Sequence, residues 1–414
     1  MLSSIRNLPE SVRQYLLITC NYWSFTLTDG ALRMLVVLHF YQMGYTPLAI
    51  AMLFLFYEFF GVITNLIGGY LGARIGLNRT MNIGLGTQII ALLMLTVPTP
   101  LLPIWLAGVP WVMAAQALSG IAKDLNKMSA KSAIKTLITA NAQGKLYQWV
   151  ALLTGSKNAL KGAGFFLGGV LLSLIGYQAT LLLMAILLTL VWLCSLAMLK
   201  KDIGKAKSKP KFSELFSKSR QINILSAARL CLFAARDVWF VVALPVYLAS
   251  QLNWSHWEVG GFLALWVIGY GLVQALAPKI TNRKHNQVPS HLSAIGWLIP
   301  LTLIPFLISL GLTFPEFSTT ILIIGLLIFG ALFAINSSLH SYLIVSYASE
   351  DGVSLDVGFY YMANAIGRLL GTILSGWIYQ VHGLEACLWL SSGLLLCATL
   401  ISIKLTGKSN SQNE

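Results

Sequence analysis

The sequence predicts an all-helical integral membrane protein: twelve transmembrane helices in two pseudo-symmetric halves of six. Three observations carry this expectation. Hydrophobic residues make up 57% of the 414 and charged residues only 10%, where soluble domains are about half apolar and about a quarter charged. Apolar runs near the ~20 residues that cross a hydrocarbon core follow one another along the chain, with Gly, Pro and charge between them. The cations, 28 Lys and Arg against 14 Asp and Glu, crowd into alternate interruptions instead of spreading over a surface. So few charges also exclude the broad basic face of a nucleic-acid binder.

The polar start, MLSSIRNLPESVRQ, precedes a first apolar run that holds Asp29 and Arg33 and lacks a small-residue cleavage site, so no signal peptide is expected. Spans are expected at 15–41, 47–72, 81–97, 103–124, 147–175 and 178–199. After a basic linker they resume at 224–249, 258–278, 292–312, 318–347, 357–380 and 385–403. This divides the chain into a bundle over 1–199, a linker over 200–223 and a second bundle over 224–414.

With the N-terminus in the cytoplasm, 22 of the 28 cations fall on that side, among them Arg6, Arg13, Arg74, Arg79, Lys145 and eight in the linker. The opposite segments (42–46, 98–102, 176–177, 250–257, 313–317 and 381–384) hold none. Such one-sidedness sets orientation and predicts both termini and the linker on the cytoplasmic face of the membrane. The halves also show a weak repeat. Asp29 and Arg33 lie in the first span and Arg236 and Asp237 in the seventh, each followed by a Gly-rich span ending in a basic turn. Six plus six parallel halves is the architecture of secondary transporters with midplane sites.

Six cations remain inside the spans (Arg33, Lys157, Lys161, Arg229, Arg236 and Arg368), beside the acids Asp29, Glu58 and Asp237. A charge there costs about 3 kcal/mol or more unless it meets a partner or water, so it marks function by default. Arg229 reads as near enough to a span end to snorkel, which leaves five cations over three acids and a positive cavity. Asp29 and Arg33, one turn apart, form an internal pair or contact substrate. Lys157 and Lys161 are like charges one turn apart and call for an anion. Arg236 and Asp237, adjacent and pointing in different directions, read as poor partners. Asn364 and Arg368 form a polar stripe, with Arg368 either at a gate or on substrate. Asn336 and His340, in FAINSSLHSYLIVSYA, either bond an oxyanion or hold helices together. Glu58, in FLFYEFFG, is a proton site or the partner of a cation.

Lys123, Lys127, Lys131 and Lys135 repeat every four residues. They predict the cytoplasmic end of the fourth span running on into an amphipathic helix, drawn to anionic headgroups or lining an entrance with Lys123 and Lys127 that draws in anions. Five cysteines without CxxC spacing and six scattered histidines suggest no disulfide, metal or catalytic cluster. No GxxxxGK[ST] loop is present for ATP. No cofactor or nucleic acid is expected; the expected partners are a small anionic substrate and the lipid bilayer, with the chain a monomer.

GYLGARIGLNR (69–79) resembles the major facilitator superfamily signature Gly-x-Leu-x-Asp-Arg-x-Gly-x-x-Arg. Gly69, Leu71, Arg74, Gly76 and Arg79 match, while Ala73 replaces the Asp that the family ties to gate stability. Gly155, Gly164 and Gly168 follow the spacing of the antiporter motif, with Gly169 in place of its proline. NYWSFTLTDGALRMLVVLHF, FLFYEFFGVITNLIGGYLGARIGLNRTMN, QALSGIAKDLNKMSAKSAIK and LLTGSKNALKGAGFFLGG together resemble the organoarsenical efflux permeases of the ArsJ family.

That resemblance implies export of 1-arseno-3-phosphoglycerate, an unstable ester that glyceraldehyde-3-phosphate dehydrogenase makes when arsenate replaces phosphate. Organophosphate/phosphate antiporters offer a looser analogy, with substrate arginines on helices 1 and 7. By it, Arg33 and Arg236 are expected to grip oxyanions while Lys157 and Lys161 add charge. The alternatives are another organic-anion carrier of the superfamily, a proton-coupled multidrug exporter with a dominant acid, and a membrane enzyme, for which no residue cluster is evident.

Overall fold

The structure, a computed structural model, describes residues 9–45, 53–98, 101, 103, 105, 108–137, 143–199, 203–205, 218–254, 256–281 and 289–405. Among these the regular structure is entirely helical. The first six helices are α1 (Glu10–Gln42), α2 (Leu55–Ile75), α3 (Leu77–Met94), α4 (Val109–Leu137), α5 (Gln143–Ile175) and α6 (Tyr177–Met198). They are followed by α7 (Arg220–Phe240), α8 (Ala243–Ser250), α9 (His256–Thr281), α10 (His291–Gly311), α11 (Ser318–Tyr347) and α12 (Val353–Ser402). Among the described residues, seven helices are long and apolar enough to cross a membrane, as a multi-pass membrane protein requires.

Every expected span meets a helix. The seventh is divided between α7 and α8, and the last two run together as α12 through Gly383 at φ 75°. Glycine adopts a positive φ without steric cost, so the chain bends there where the sequence predicts a loop. Two boundaries differ from expectation. Gly76 alone, at φ 100°, separates α2 from α3, so the third span begins at Leu77 and not at 81. Helix α4 runs on to Leu137, past the expected span end at 124 but continuous with the amphipathic helix expected over the lysine repeat. The expected start of the second span at 47, most of the linker 200–223, and Arg6, Arg283, Lys284 and Lys408 lie outside the described residues.

The chain packs as two compact units. One comprises Met1–Ala142, Ser156–Phe216 and Ser349–Met362; the other comprises Gln143–Gly155, Ser217–Ala348 and Ala363–Glu414. Helices α5 and α12 are thus each divided between them. The first unit is cored by Phe25, Leu32, Leu35, Leu85, Leu92 and Leu188. The second is cored by aromatic rings, with Trp239 edge-on to Phe329 at 5.0 Å and to Trp266 at 6.1 Å. Outward-facing Leu182, Ile186, Leu190 and Leu193 of α6 are exposed, an apolar stripe suited to lipid.

Within the first unit α1 and α5 cross backbone to backbone. A Cβ on Gly30 would stand 2.7 Å from the Lys161 carbonyl, and one on Gly164 would stand 2.5 Å from that of Leu27. Small residues at such a crossing are what let membrane helices approach closely. Gly168 meets Ala31 in the same seam. Gly155 serves a different neighbour, in the second unit, where its Cβ would stand 2.5 Å from Gly271 O and Ala275 N of α9.

Candidate functional site

Each unit holds its own cluster of charged side chains. In the first, Asp29 and Arg33 of α1 face Tyr57 and Glu58 in the first turn of α2. The Tyr57 hydroxyl donates to Asp29 at 2.8 and 3.0 Å. Arg33 Nη2 lies 3.4 Å from Glu58 Oε1, and its guanidinium sits 4.8 Å from the Tyr57 ring centre and 5.0 Å from that of Phe54. The expected Asp29–Arg33 turn is therefore served by two partners on α2.

Helix α4 supplies the rest. Lys123 Nζ lies 3.8 Å over the Tyr57 ring and 3.7 Å from both Glu58 Oε2 and Asp124 Oδ2. Lys127 pairs with Asp124 Oδ1, and the Lys131 ammonium donates to the hydroxyl of Tyr361 on α12. Lys127 and Lys131 also stand 4.7 and 4.9 Å over the Tyr361 ring, attractive positions for a cation. Two glycines let α2 and α4 come this close: a Cβ on Gly61 would strike Asp124 Oδ2 at 2.6 Å, and Gly120 lies against the Tyr57 backbone.

This arrangement corrects the headgroup reading of the lysine stripe. The side chains of Lys123 and Lys127 are only 13% exposed, and Lys131 is buried at 3%. Asp124, at 2%, is not singled out by the sequence, because its place at the very end of the expected span 103–124 suggests a solvated position. The signal was its position amid a four-residue lysine repeat. On α5, Lys157 and Lys161 are half-buried, with Lys161 Nζ 5.8 Å from the Phe165 ring.

The second unit centres on Asp237, whose side chain is 1% exposed. Arg236 Nε and Nη2 approach its Oδ1 at 2.6 and 2.5 Å, and Arg368 Nε approaches Oδ2 at 3.3 Å. The expectation that Arg236 and Asp237 are poor partners is thus wrong: the long guanidinium folds back over one peptide unit to reach its neighbour. Around Arg236 stand Phe233 at 4.8 Å and Phe333 at 5.5 Å.

Arg229 does not snorkel. It is buried at 3% exposure, donates to Asn364 Oδ1 at 2.9 Å and to Ser337 Oγ at 3.1 Å, and lies 4.0 Å over the Phe233 ring. Asn364 and Arg368, one turn apart on α12, therefore serve different partners. Asn336 donates to Ala294 O at 2.8 Å and so ties α11 to α10. His340 is fully buried, and neither ring nitrogen has a hydrogen-bond partner.

The signature segment 69–79 lies not in a loop but in the last turns of α2, Gly76 and the start of α3. Ala73, in place of the family's acid, packs with Leu355, Leu66 and Tyr70. The hydroxyl of Ser354 donates to the Gly69 carbonyl at 2.7 Å, with Gly358 directly opposite Gly69. Arg74 and Arg79 are exposed, and Arg74 donates to the Tyr70 hydroxyl at 2.8 Å.

The family profile described as Major Facilitator Superfamily matches residues 15–351. A comparison with curated proteins found no match. Among solved structures, the human organic anion transporter MFSD10 (TETRAN) is similar with TM-score 0.72 and 16% identity, over 95% of this chain and 100% of that one. A bacterial homologue of the iron transporter ferroportin, in an outward-facing state, gives 0.74 and 14%, over 95% and 99%. The E. coli fucose:proton symporter FucP gives 0.72 and 12%, over 95% and 99%. At these identities the likeness is one of fold.

Proposed function

Because the chain belongs to the major facilitator superfamily, and is therefore a membrane transporter and not an enzyme, we propose that its cargo is a small multivalent organic anion. The observation that supports this most is the first unit's cluster. Arg33, Lys123, Lys127 and Lys131 converge there on two tyrosine rings, with Glu58 and Asp124 each shared between two of the cations. Cations gathered over aromatic faces make a positive setting suited to an anion, and Arg adds bidentate geometry for phosphate-like oxygens. A carrier of lipophilic cations needs an acid committed to its cargo, and here Glu58, Asp124 and Asp237 each answer two cations.

The resemblance to organoarsenical permeases narrows the anion to 1-arseno-3-phosphoglycerate. It would be supplied by glyceraldehyde-3-phosphate dehydrogenase and exported across the bacterial inner membrane by alternating access, giving arsenate resistance. Arg33 is assigned to the oxyanion, with Lys157 and Lys161 adding charge; Arg236, Arg368, Asn364, Asn336 and His340 are the corresponding candidates of the second unit. Gly69, Arg74, Gly76 and Arg79 are assigned to gating. Expression in arsenate-sensitive cells tests this reading. Wild type is expected to restore growth on arsenate only when the dehydrogenase is present. Arg33→Lys and Arg236→Lys, at equal membrane abundance, are expected to lose that protection. Equal protection by either variant sinks its residue's assignment.

A further inference from the structure

Two carboxylates of the first cluster are held in different ways. Asp124 is enclosed and paired directly with Lys127. Glu58 retains 21% exposure, and its two oxygens are divided: Oε1 lies 3.4 Å from Arg33 and Oε2 lies 3.7 Å from Lys123. Both separations exceed the ~2.7–2.9 Å of a tight charge-assisted hydrogen bond. A carboxylate that offers one oxygen to a guanidinium and the other to an ammonium presents a negative two-oxygen fork like one face of a phosphate or arsenate group, with less charge. An incoming oxyanion for Arg33 and Lys123 meets Glu58 already in its place.

We propose that Glu58 stands in for a substrate oxyanion between Arg33 and Lys123, and that an anion enters as Glu58 takes up a proton. This rests on the anion-carrier reading and deepens it by naming what binds along with the cargo. Among the described residues, the charged and titratable groups around Glu58 include Arg33 and, through Tyr57, Asp29 from α1; Lys123 and Asp124 from α4; and Tyr57 on its own helix. While Glu58 is ionised it competes with the anion for both cations and repels it. One proton taken from water converts the carboxylate to the neutral acid, and Arg33 and Lys123 pass to the anion. When the anion leaves, the proton returns to water and the two cations return to Glu58.

The sign of the linkage follows. Binding tightens as pH falls, because the proton and the anion favour each other's presence; in an exchanger that sets them in competition it would weaken. Each turnover then moves a proton in the same direction as the anion.

The test uses the full chain in detergent with 3-phosphoglycerate as the probe. Calorimetry in two buffers of different ionisation heat counts the protons taken up on binding. Wild type is expected to take up protons beyond those the probe itself gains, and to bind more tightly in mild acid than in mild alkali. Glu58→Gln is expected to bind about tenfold tighter than wild type in mild alkali, the equivalent of one charged hydrogen bond no longer in competition, and to lose the extra proton uptake. The proposal is overturned if wild type takes up no extra protons, or if folded Glu58→Gln binds no tighter. Should Glu58→Gln fail to fold, the wild-type proton count decides. Absence of binding of 3-phosphoglycerate, phosphate and arsenate by a cooperatively unfolding wild type would fell the anion-carrier reading itself, and this inference with it. Binding that is intact but indifferent to pH fells this inference alone.

Discussion

Two arginines of the second unit converge on Asp237, at 2.5 Å from Arg236 and 3.3 Å from Arg368. Removing one partner of a buried ion pair leaves uncompensated charge and costs about 3–5 kcal/mol. Asp237→Asn should therefore lower the thermal unfolding midpoint in detergent markedly. Adding Arg236→Gln to it should recover part of the loss; no recovery would mean that the carboxylate acts through something other than these cations. The identity of such residues was legible in the sequence, because charges inside apolar runs stand out. Their direction was not. A span with apolar lipid on one side and apolar neighbours on the other shows little amphipathic signal, so depth can be read from sequence but the facing side cannot. On this account the sequence makes Arg229 look like a snorkelling residue, and it makes Arg236 and Asp237 look divergent because spacing ignores the reach of a guanidinium.

At the level of the element, α4 and α5 show what periodicity tells and omits. The four-residue lysine repeat of α4 marks one face, as helical geometry requires, but headgroups and buried tyrosines are equally compatible with it. Only the Gly61 and Gly120 contacts with α2 turn that face inward. In α5 the glycine spacing matches a family motif, and the structure gives each glycine a neighbour. A Cβ on Gly164 would stand 2.5 Å from Leu27 O, whereas one on Gly169 meets only Leu38 Cδ1 at 3.6 Å. Gly164→Val should destabilise the α1–α5 crossing by about 1–3 kcal/mol, the usual cost of overpacking. Gly169→Ala should leave the unfolding midpoint close to wild type. Equal shifts in the two would show that the seam yields more readily than its backbone contacts suggest.

Across the whole molecule, the twelve spans were legible from composition and interruption, several of them to within a residue or two: α6 begins at Tyr177 against an expected 178, and α11 covers 318–347 as expected. Packing membership was not legible. The sequence splits the chain at its linker, yet residues 143–155 pack with the later unit and 349–362 with the earlier. A boundary drawn along the chain has no means of showing a helix that changes company midway. The orientation expected from charge has a direct check. In a cysteine-free background, Lys205→Cys should react with an impermeant thiol reagent only in inside-out vesicles. Thr313→Cys should react only in intact cells. Reversed labelling would overturn the positive-inside assignment.

The ion cluster of the second unit also bears on how the protein is made. Arg229 finds Asn364, and Asp237 finds Arg368, across 135 and 131 residues of chain. A nascent protein emerging from its N-terminus would hold α7 in or beside the membrane long before α12 is synthesised. During that interval the neighbour pair Arg236–Asp237 lets the segment cancel one charge locally, while Arg229 waits for its amide. Chains that stall before residue 364 would then hold Arg229 by Ser337 and the Phe233 ring, without the Asn364 oxygen that completes its site.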